Sequence, residues 1–226
     1  MSNSTRDQFN DLLRSEGLNA GIIPVSNIPN EESRLNEVNR LGILNRDLDQ
    51  EAQYNALTQL AAIITKSQIG LINILGSNIQ QCKTNFGFNV LESTLTEEMP
   101  REISICQYSL ASPQEPLIIN DLFLDERTKH FKKLEAYENL RFYADSPLIS
   151  SRGFSIGTLC VIDDKPKKIE HDQIEGLRLL ADQVVNMLEQ EFNDNSNQNI
   201  NSEDISNIIE TNKITKYFST SSILFA

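Results

Sequence analysis

The most reactive side chains of this 226-residue sequence are three cysteines, Cys82, Cys106 and Cys160. A cysteine becomes a nucleophile or a redox group when its environment lowers the pKa of the thiol. Cys106 falls near the start of a predicted short helix, where a thiolate would be favoured. Cys160 falls in a predicted core strand and is expected to be a small buried apolar residue. The odd number of cysteines and the absence of an export signal predict free thiols.

Two histidines, His130 and His171, are the other candidate metal ligands, and both lie in polar segments. A haem or zinc site favours histidine ligands, so this pattern argues against a metal or haem cofactor. The sequence also contains no P-loop, nucleophile elbow or H-E-x-x-H motif. We therefore predict no catalytic residues in this chain.

Asn73 is the most informative polar residue, because it interrupts the apolar run Ile69–Leu75. Strand alternation places it on the same face as Leu71. A buried asparagine needs a partner, which could be a ligand, a water molecule or a backbone group. The other candidates for a pocket wall at this stage are Phe86, Cys106, Tyr108, Phe142, Tyr143 and Thr158.

The elements that must position these residues alternate between helical and extended patterns. A short helix is predicted near Asp7–Ser15, followed by an irregular arm. Three more helices are predicted at Arg34–Asn45, at about 50–65 and at about Glu170–Phe192. The buried stripe of the helix at 50–65 is predicted to consist of Tyr54, Leu57, Leu60, Ala61 and Ile64. Strands are predicted at Ile69–Leu75, Ile79–Thr84, Pro116–Ile119, Arg141–Ile149 and Phe154–Asp163. Pro147 lacks the ladder donor and indicates a sheet edge or a bulge.

Composition limits the class of protein. Hydrophobic residues make up 39% and charged residues 23% of the chain, and its net charge is −12. This charge disfavours binding to nucleic acid and to an anionic membrane surface. No apolar run is long enough to span a membrane, and the N-terminus has no signal core, so a cytoplasmic protein is expected. We divide the chain into a helical leader or arm (1–29), a main domain (30–192), and a linker with the start of a further domain (193–226).

Two motifs stand out in the second half of the chain. They are R-F-Y-A-x-x-P-L within Leu140–Ile149 and G-T-L-C-V-I-D within Gly153–Asp163. With these motifs, residues 30–191 resemble a GAF domain. The segment Arg34–Asn45 and a D-x-x-x-D-x-R pattern at Asp121, Asp125 and Arg127 add to this resemblance. Arg141 is expected to pair with Asp121 or Asp125.

The resemblance implies an α+β, GAF/PAS-like fold: a central antiparallel sheet with helices packed on one face and long N- and C-terminal helices. It also implies a sensor that binds an unknown small-molecule ligand between the sheet and the loops, and that forms a homodimer through its terminal helices. Asp121, Asp125 and Arg127 join the candidate pocket on this basis. The last helix has a wide apolar stripe, which also favours a second contact with another subunit. The stripe consists of Ile174, Leu177, Ala181, Val184 and Leu188, flanked by Leu180, Val185 and Met187.

The resemblance also helps to weigh particular ligands and activities. The Asn-Lys start of the cyclic-nucleotide signature of this family is absent, although Asn120, Phe123, Asp125 and Glu126 partly match the rest. Cys106 is followed by Gln107 and Tyr108 rather than by histidine, which argues against a covalent bilin. A free methionine sulfoxide reductase stays an enzymatic alternative because of the cysteines, although the glycine-flanked cysteine of those enzymes is missing.

The last six residues, Ser221–Ala226, resemble the first strand of a class III nucleotide cyclase catalytic domain. We therefore expect the sensor to regulate an adenylate or guanylate cyclase whose catalytic residues follow this strand, so that this chain alone would not be an enzyme. A histidine kinase or another effector is the alternative. The short apolar tail could also pack on its own domain.

Overall fold

The computed structural model describes residues 3–48, 51–87, 98–134 and 137–195, with side chains from Asp7 onward. Its long helices are α1 (Asn3–Ala20), α2 (Glu31–Leu41), α3 (Ala52–Thr65) and α4 (171–195). Its strands are β1 (Ile69–Leu75), β2 (Ile79–Phe86), β3 (Glu98–Pro100), β4 (Ile118–Ile119), β5 (Phe142–Ile149) and β6 (Ser155–Asp163). Short 3₁₀ helices lie at Ile43–Asn45, Arg101–Ile103, Ile105–Ala111 and Phe131–Lys133.

The strands form one antiparallel sheet in the order β3-β2-β1-β6-β5-β4. The predicted α+β fold with a central antiparallel sheet is confirmed. β1 lies between β2 and β6, and all of its residues are buried, as its continuous apolar sequence predicts. Asn73 pairs with Thr158 of β6, and Cys160 of β6 pairs with Asp145 of β5. Directly paired residues point to the same side of a sheet, so these four side chains share one face.

Helices cover the opposite face of the sheet, as predicted. The backbone of α3 packs so closely on β1 that a Cβ atom added at Gly70 would lie 2.3 Å from the carbonyl oxygen of Thr58. Tyr54 and Ala61 of α3 are buried, but Leu60 is 41% exposed, so its assignment to the buried stripe is wrong. The α4 stripe is confirmed at Leu177, Ala181 and Val184, and its flanking residues Leu180 and Val185 are buried as well.

The contacts of α4 within the chain explain why its apolar stripe is so wide. The helix begins where the Gln173 side chain accepts a hydrogen bond of 3.0 Å from the Glu170 backbone N–H, as in a capping box. The Gln173 amide also donates to the carbonyl of Ile64 in α3. Because Leu180 and Val185 are buried within a single chain, the width of the stripe does not require a second subunit.

The other face of β1, β5 and β6 is covered by the segment between β3 and β5 and by the end of α1. Ile103, Leu110 and Phe131 of this segment pack with Ala20 of α1 and Leu71 of β1. The N-terminal helix is longer than predicted, reaching Ala20 instead of Ser15, and its Arg14 pairs with Glu102. This contact holds the leader against the segment that covers the sheet.

The irregularity that Pro147 predicts for the last hairpin is confirmed. β4 pairs with Tyr143 and Ala144 of β5, so Pro147 lies beyond this pairing, and a bulge follows between Leu148 and Ile149. Gly153 has a φ of 83° in the turn to β6.

Two compact units are distinguished, residues 1–186 and 187–226, and the described part of the second unit, 187–195, is helical. Within the described ranges, no helix is long and apolar enough to cross a membrane. The cyclase-like end, Ser221–Ala226, lies outside the described residues.

Candidate functional site

A cluster of buried polar side chains lies between the sheet and the 3₁₀ helix Ile105–Ala111. We refer to it as the polar cluster; its members are Asn73, Cys106, Ser109, Tyr143, Asp145, Thr158 and Cys160. All of these residues are at most 3% exposed. The sheet supplies five of them from three adjacent strands, and Cys106 and Ser109 face it from one side of the 3₁₀ helix.

Asn73 lies at the centre of the cluster. Its Nδ2 atom is 3.4 Å from Sγ of Cys106 and 3.4 Å from Sγ of Cys160. Its Oδ1 atom is buried and has no hydrogen-bond partner among the described residues, and the same holds for Oγ1 of Thr158, which faces Asn73 across the ladder. A buried polar atom without a partner is costly, so these two neighbouring atoms make this part of the sheet a candidate binding site.

Asp145 is the only carboxyl group of the polar cluster. Its Oδ2 atom accepts hydrogen bonds from the hydroxyls of Tyr143 (2.6 Å) and Ser109, and its Oδ1 atom accepts one from the Leu117 N–H at 3.2 Å. Burial raises the pKa of Asp145 to about 6, although these donors lower it in part. Burial raises the pKa of Tyr143 well above its ordinary value, and the nearby Asp145 carboxylate raises it further.

The two thiols of the cluster differ in acidity. Burial raises the pKa of Cys160 well above its ordinary value, and the neighbouring Cys106 raises it further. Burial also acts to raise the pKa of Cys106, but interactions with Cys160 and Tyr143 outweigh burial and the charge of Asp145, and the pKa is lowered. Thr158 stands close enough to contribute to this lowering, although its hydroxyl makes no hydrogen bond of ordinary geometry.

Asp121, Asp125 and Arg127 belong to a loop between β4 and β5, which we call the acidic loop, and two ion pairs hold it. Arg141 donates to both carboxylate oxygens of Asp121, at 3.1 and 2.7 Å, and these hydrogen bonds lower the pKa of Asp121. Asp125 instead pairs with Arg127, at 2.6 Å, which likewise lowers the pKa of Asp125. The expected pairing of Arg141 is therefore found with Asp121.

Tyr108 connects this loop to the N-terminal segment. Its hydroxyl lies 2.8 Å from the carbonyl oxygen of Arg127 and 3.2 Å from that of Ile23. Burial raises the pKa of Tyr108 to about 12.

The predicted site residues therefore fall into three groups. Asn73, Cys106, Tyr143 and Thr158 come together in the polar cluster, whereas Tyr108, Asp121, Asp125 and Arg127 lie at or beside the acidic loop. Phe86 and Phe142 lie on the helix-covered face: Phe86 pairs with Gly70, and Lys167 lies 4.8 Å from the ring centre of Phe142. The structure does not bring these two phenylalanines to the cluster.

Three members of the cluster were missing from the predicted site: Ser109, Asp145 and Cys160. Asp145 follows Tyr143 by two residues in an apolar strand, so both side chains lie on the same face of the sheet. A charged residue on that face could have identified Asp145 as a site residue. Ser109 follows Cys106 by three residues, which puts both on one side of a 3₁₀ helix. Cys160 was interpreted as a buried apolar residue, and its burial is confirmed.

Within the described ranges, no group of three or more histidine, cysteine, aspartate or glutamate side chains is arranged to hold a metal ion. His171 is exposed and His130 is half-buried beside Gly21. Neither histidine belongs to the polar cluster.

The family of the chain follows from a comparison with known proteins. The profile of the GAF domain family matches residues 49–188, so the chain belongs to this family of sensory domains. A cyclic di-GMP phosphodiesterase of Pseudomonas aeruginosa is 28% identical over 137 residues. That match covers 61% of this chain and 22% of the relative, so the chain spans about a fifth of the length of the phosphodiesterase.

Solved structures agree in fold. A domain of a putative two-component sensor histidine kinase from Sinorhizobium meliloti 1021 superposes with a TM-score of 0.53 at 14% identity, covering 66% of this chain and 97% of that one. A type II free methionine-R-sulfoxide reductase from Thermoplasma acidophilum gives 0.52 at 14% identity, covering 64% and 96%. At these identities the likeness concerns the fold alone.

Proposed function

We propose that this chain is a non-catalytic sensory GAF domain that binds a small polar ligand at the polar cluster. The observation that carries the proposal is a pair of buried atoms on paired strands, Oδ1 of Asn73 and Oγ1 of Thr158. Neither atom has a hydrogen-bond partner within the part of the chain that the structure describes. Both atoms would be satisfied by one molecule between the sheet and the 3₁₀ helix Ile105–Ala111.

The chemistry of the cluster favours a ligand that donates hydrogen bonds. Oδ1 of Asn73 can only accept, and a hydroxyl such as that of Thr158 can do both. The seven members include one carboxyl group and no basic side chain, whereas a phosphate is usually held by Arg, Lys or backbone N–H groups. We therefore expect amines and free amino acids to bind better than cyclic nucleotides.

A thermal-shift panel on the purified chain tests the binding proposal. The probes are free amino acids, small amines, cyclic AMP, cyclic GMP and cyclic di-GMP, with native mass spectrometry to detect a co-purified molecule. A ligand that binds only the folded state stabilises it by about 2.7 kcal/mol when its concentration is a hundred times Kd. This stabilisation raises the melting temperature. Absence of both a shift and a co-purified molecule would contradict the proposal.

Variants locate the binding site. Thr158→Val removes the hydroxyl while keeping the side-chain shape, so a bound ligand should lose one hydrogen bond and bind roughly tenfold more weakly. Thr84→Val is the matched control, because Thr84 is equally buried but faces the helix side, opposite Ile72. Equal loss of binding in both variants would argue against the polar cluster.

We further propose that the sensor regulates a nucleotide cyclase in the cytoplasm. The resemblance of Ser221–Ala226 to a cyclase strand supports this effector. The relative that is a cyclic di-GMP phosphodiesterase supports a second candidate, control of cyclic di-GMP hydrolysis, and a histidine kinase is a third. An assay of the complete gene product for cyclic nucleotide formation, cyclic di-GMP hydrolysis and autophosphorylation separates the three.

A homodimer through the terminal helices is part of the proposal. Exposed apolar side chains support it: Leu12 and Leu18 on α1 are 55% and 49% exposed, and Leu179 on α4 is 61% exposed. Sedimentation equilibrium measures the mass directly. Substitution of these three leucines by glutamate should yield a monomer, whereas a wild-type monomer would contradict the proposal.

A further inference from the structure

Cys106 and Cys160 come from different elements but meet at one atom. Each Sγ lies 3.4 Å from Nδ2 of Asn73, one from the 3₁₀ helix and the other from β6. Two sulfur atoms that contact the same nitrogen are close neighbours, and each thiol alters the pKa of the other. Both are free cysteines and both are buried.

We propose that Cys106 and Cys160 form a reversible intramolecular disulfide when a small hydroperoxide oxidises them. The Cys106 thiolate attacks the peroxide, the O–O bond breaks, and Cys106 becomes a sulfenic acid while one alcohol or water molecule leaves. The Cys160 thiol then attacks the sulfenic sulfur, the S–O bond breaks, and the sulfenic OH leaves as water with the proton of the Cys160 thiol. Two thiols and one peroxide thus give one disulfide, with two electrons passing from sulfur to oxygen.

The cluster also contains a route for the proton of Cys106. The Tyr143 hydroxyl lies 3.2 Å from Sγ of Cys106 and 2.6 Å from Oδ2 of Asp145. A hydroxyl has one proton, so while it donates to Asp145 its oxygen can accept from the Cys106 thiol. Transfer along this chain leaves a thiolate at Cys106 and a protonated Asp145.

Cys82 is the competing thiol, and its contacts explain why it is not the predicted partner. It faces the same side of the sheet as Asn73, with which it pairs in β1–β2. Its Sγ donates to the carbonyl oxygen of Thr84 at 3.4 Å, within its own strand, and Cys82 is only partly buried, whereas Cys106 and Cys160 are buried.

Oxidation would also act on the N-terminal segment, because the 3₁₀ helix that carries Cys106 holds this segment on its other side. The Val25 N–H donates to Oε1 of Gln107 at 2.8 Å, and the next residue, Tyr108, lies 3.2 Å from the carbonyl oxygen of Ile23. A bond from Cys106 to β6 would pull this helix toward the sheet and loosen both contacts.

The test is peptide mapping of the full chain after treatment with hydrogen peroxide. The protein is oxidised while folded, then denatured, blocked with N-ethylmaleimide and digested for mass spectrometry. We expect a cross-linked pair of peptides that contain Cys106 and Cys160, with N-ethylmaleimide attached to Cys82 alone. Reduction with dithiothreitol before blocking should allow N-ethylmaleimide to label all three cysteines. A link that involves Cys82, or sulfinic acid at Cys106 without any link, would overturn the proposal.

Two variants and one second readout sharpen the result. Cys82→Ser should still form the link, whereas Cys160→Ser should leave a sulfenic acid on Cys106 that reacts with dimedone. Amide hydrogen exchange at Val25 should accelerate about tenfold on oxidation of the wild type, the effect of losing roughly one hydrogen bond. A disulfide with unchanged exchange at Val25 would overturn the transmission to the N-terminal segment.

Discussion

The hydroxyl of Tyr143 lies 2.6 Å from Oδ2 of Asp145, so a phenol holds a carboxyl group that is completely shielded from solvent. The two residues are two positions apart on β5 and therefore point to the same side of the sheet. An aspartate in this position has to be stabilised by donors or protonated, because burial without a counter-charge disfavours the anion.

Asp145 should make the stability of the protein depend on pH. Its pKa is about 6 in the folded chain and about 3.9 in an unfolded one, so the folded state binds more protons between these values. The stabilisation is complete below about pH 4 and is lost as the pH rises through 6, by about 2 to 3 kcal/mol. Asp145→Asn should remove this change, measured as the difference between urea unfolding of variant and wild type at several pH values. Parallel curves would show that Asp145 does not titrate in this range.

Thr158→Val should stabilise the ligand-free protein. Its hydroxyl is buried without a hydrogen-bond partner among the described residues, so a methyl group should raise the free energy of unfolding by about 1 kcal/mol. Thr84→Val should instead lower it by a similar amount, because the Thr84 hydroxyl donates to Oδ1 of Asn55. Urea unfolding checks both, and a destabilised Thr158→Val would mean that a bound molecule already satisfies the hydroxyl.

Gly157 should tolerate no side chain. A Cβ atom there would lie 2.1 Å from the carbonyl oxygen of Asn73, so β6 would have to move away from β1. We expect Gly157→Ala to lower the free energy of unfolding by about 3 kcal/mol. Gly153→Ala is the control: no atom of the described residues lies within 4 Å of its added Cβ, and its φ of 83° should cost only about 1 to 2 kcal/mol. The prediction fails if the two variants unfold at the same temperature.

Arg34 should be essential for stability. It is buried and donates to the carbonyl oxygens of Leu75 (2.6 Å) and Gly76 (3.3 Å), while its side chain also pairs with Glu31. Arg34→Ala should cost about 3 to 5 kcal/mol, because the Leu75 carbonyl loses this donor and the buried volume of the side chain is left empty. Arg178→Ala removes an exposed arginine of α4 with two acidic partners and should leave the melting temperature unchanged. Equal effects would contradict the role of burial.

The sequence by itself determined the class of fold, because its strand and helix patterns agree with the motifs of one family. The continuous apolar run Ile69–Leu75 predicted a strand buried on both faces, and Phe154–Asp163 predicted a second strand. The family motifs around Phe142 and Thr158 identified the class of domain. The sequence also limited the expected partner of Arg141 to Asp121 or Asp125, and the structure shows that the partner is Asp121.

Only the tertiary structure decided which residues share a site, since register and long-range packing are not local properties. Asn73 was recognised as a polar residue in need of a partner, but its neighbours Cys106 and Cys160 lie 33 and 87 positions away along the chain. A shift of one residue in register would turn Thr158 and Asp145 to the helix-covered face, where Phe86 and Phe142 lie. The polar cluster therefore exists because β1, β5 and β6 pair in one register and because the 3₁₀ helix Ile105–Ala111 packs across them.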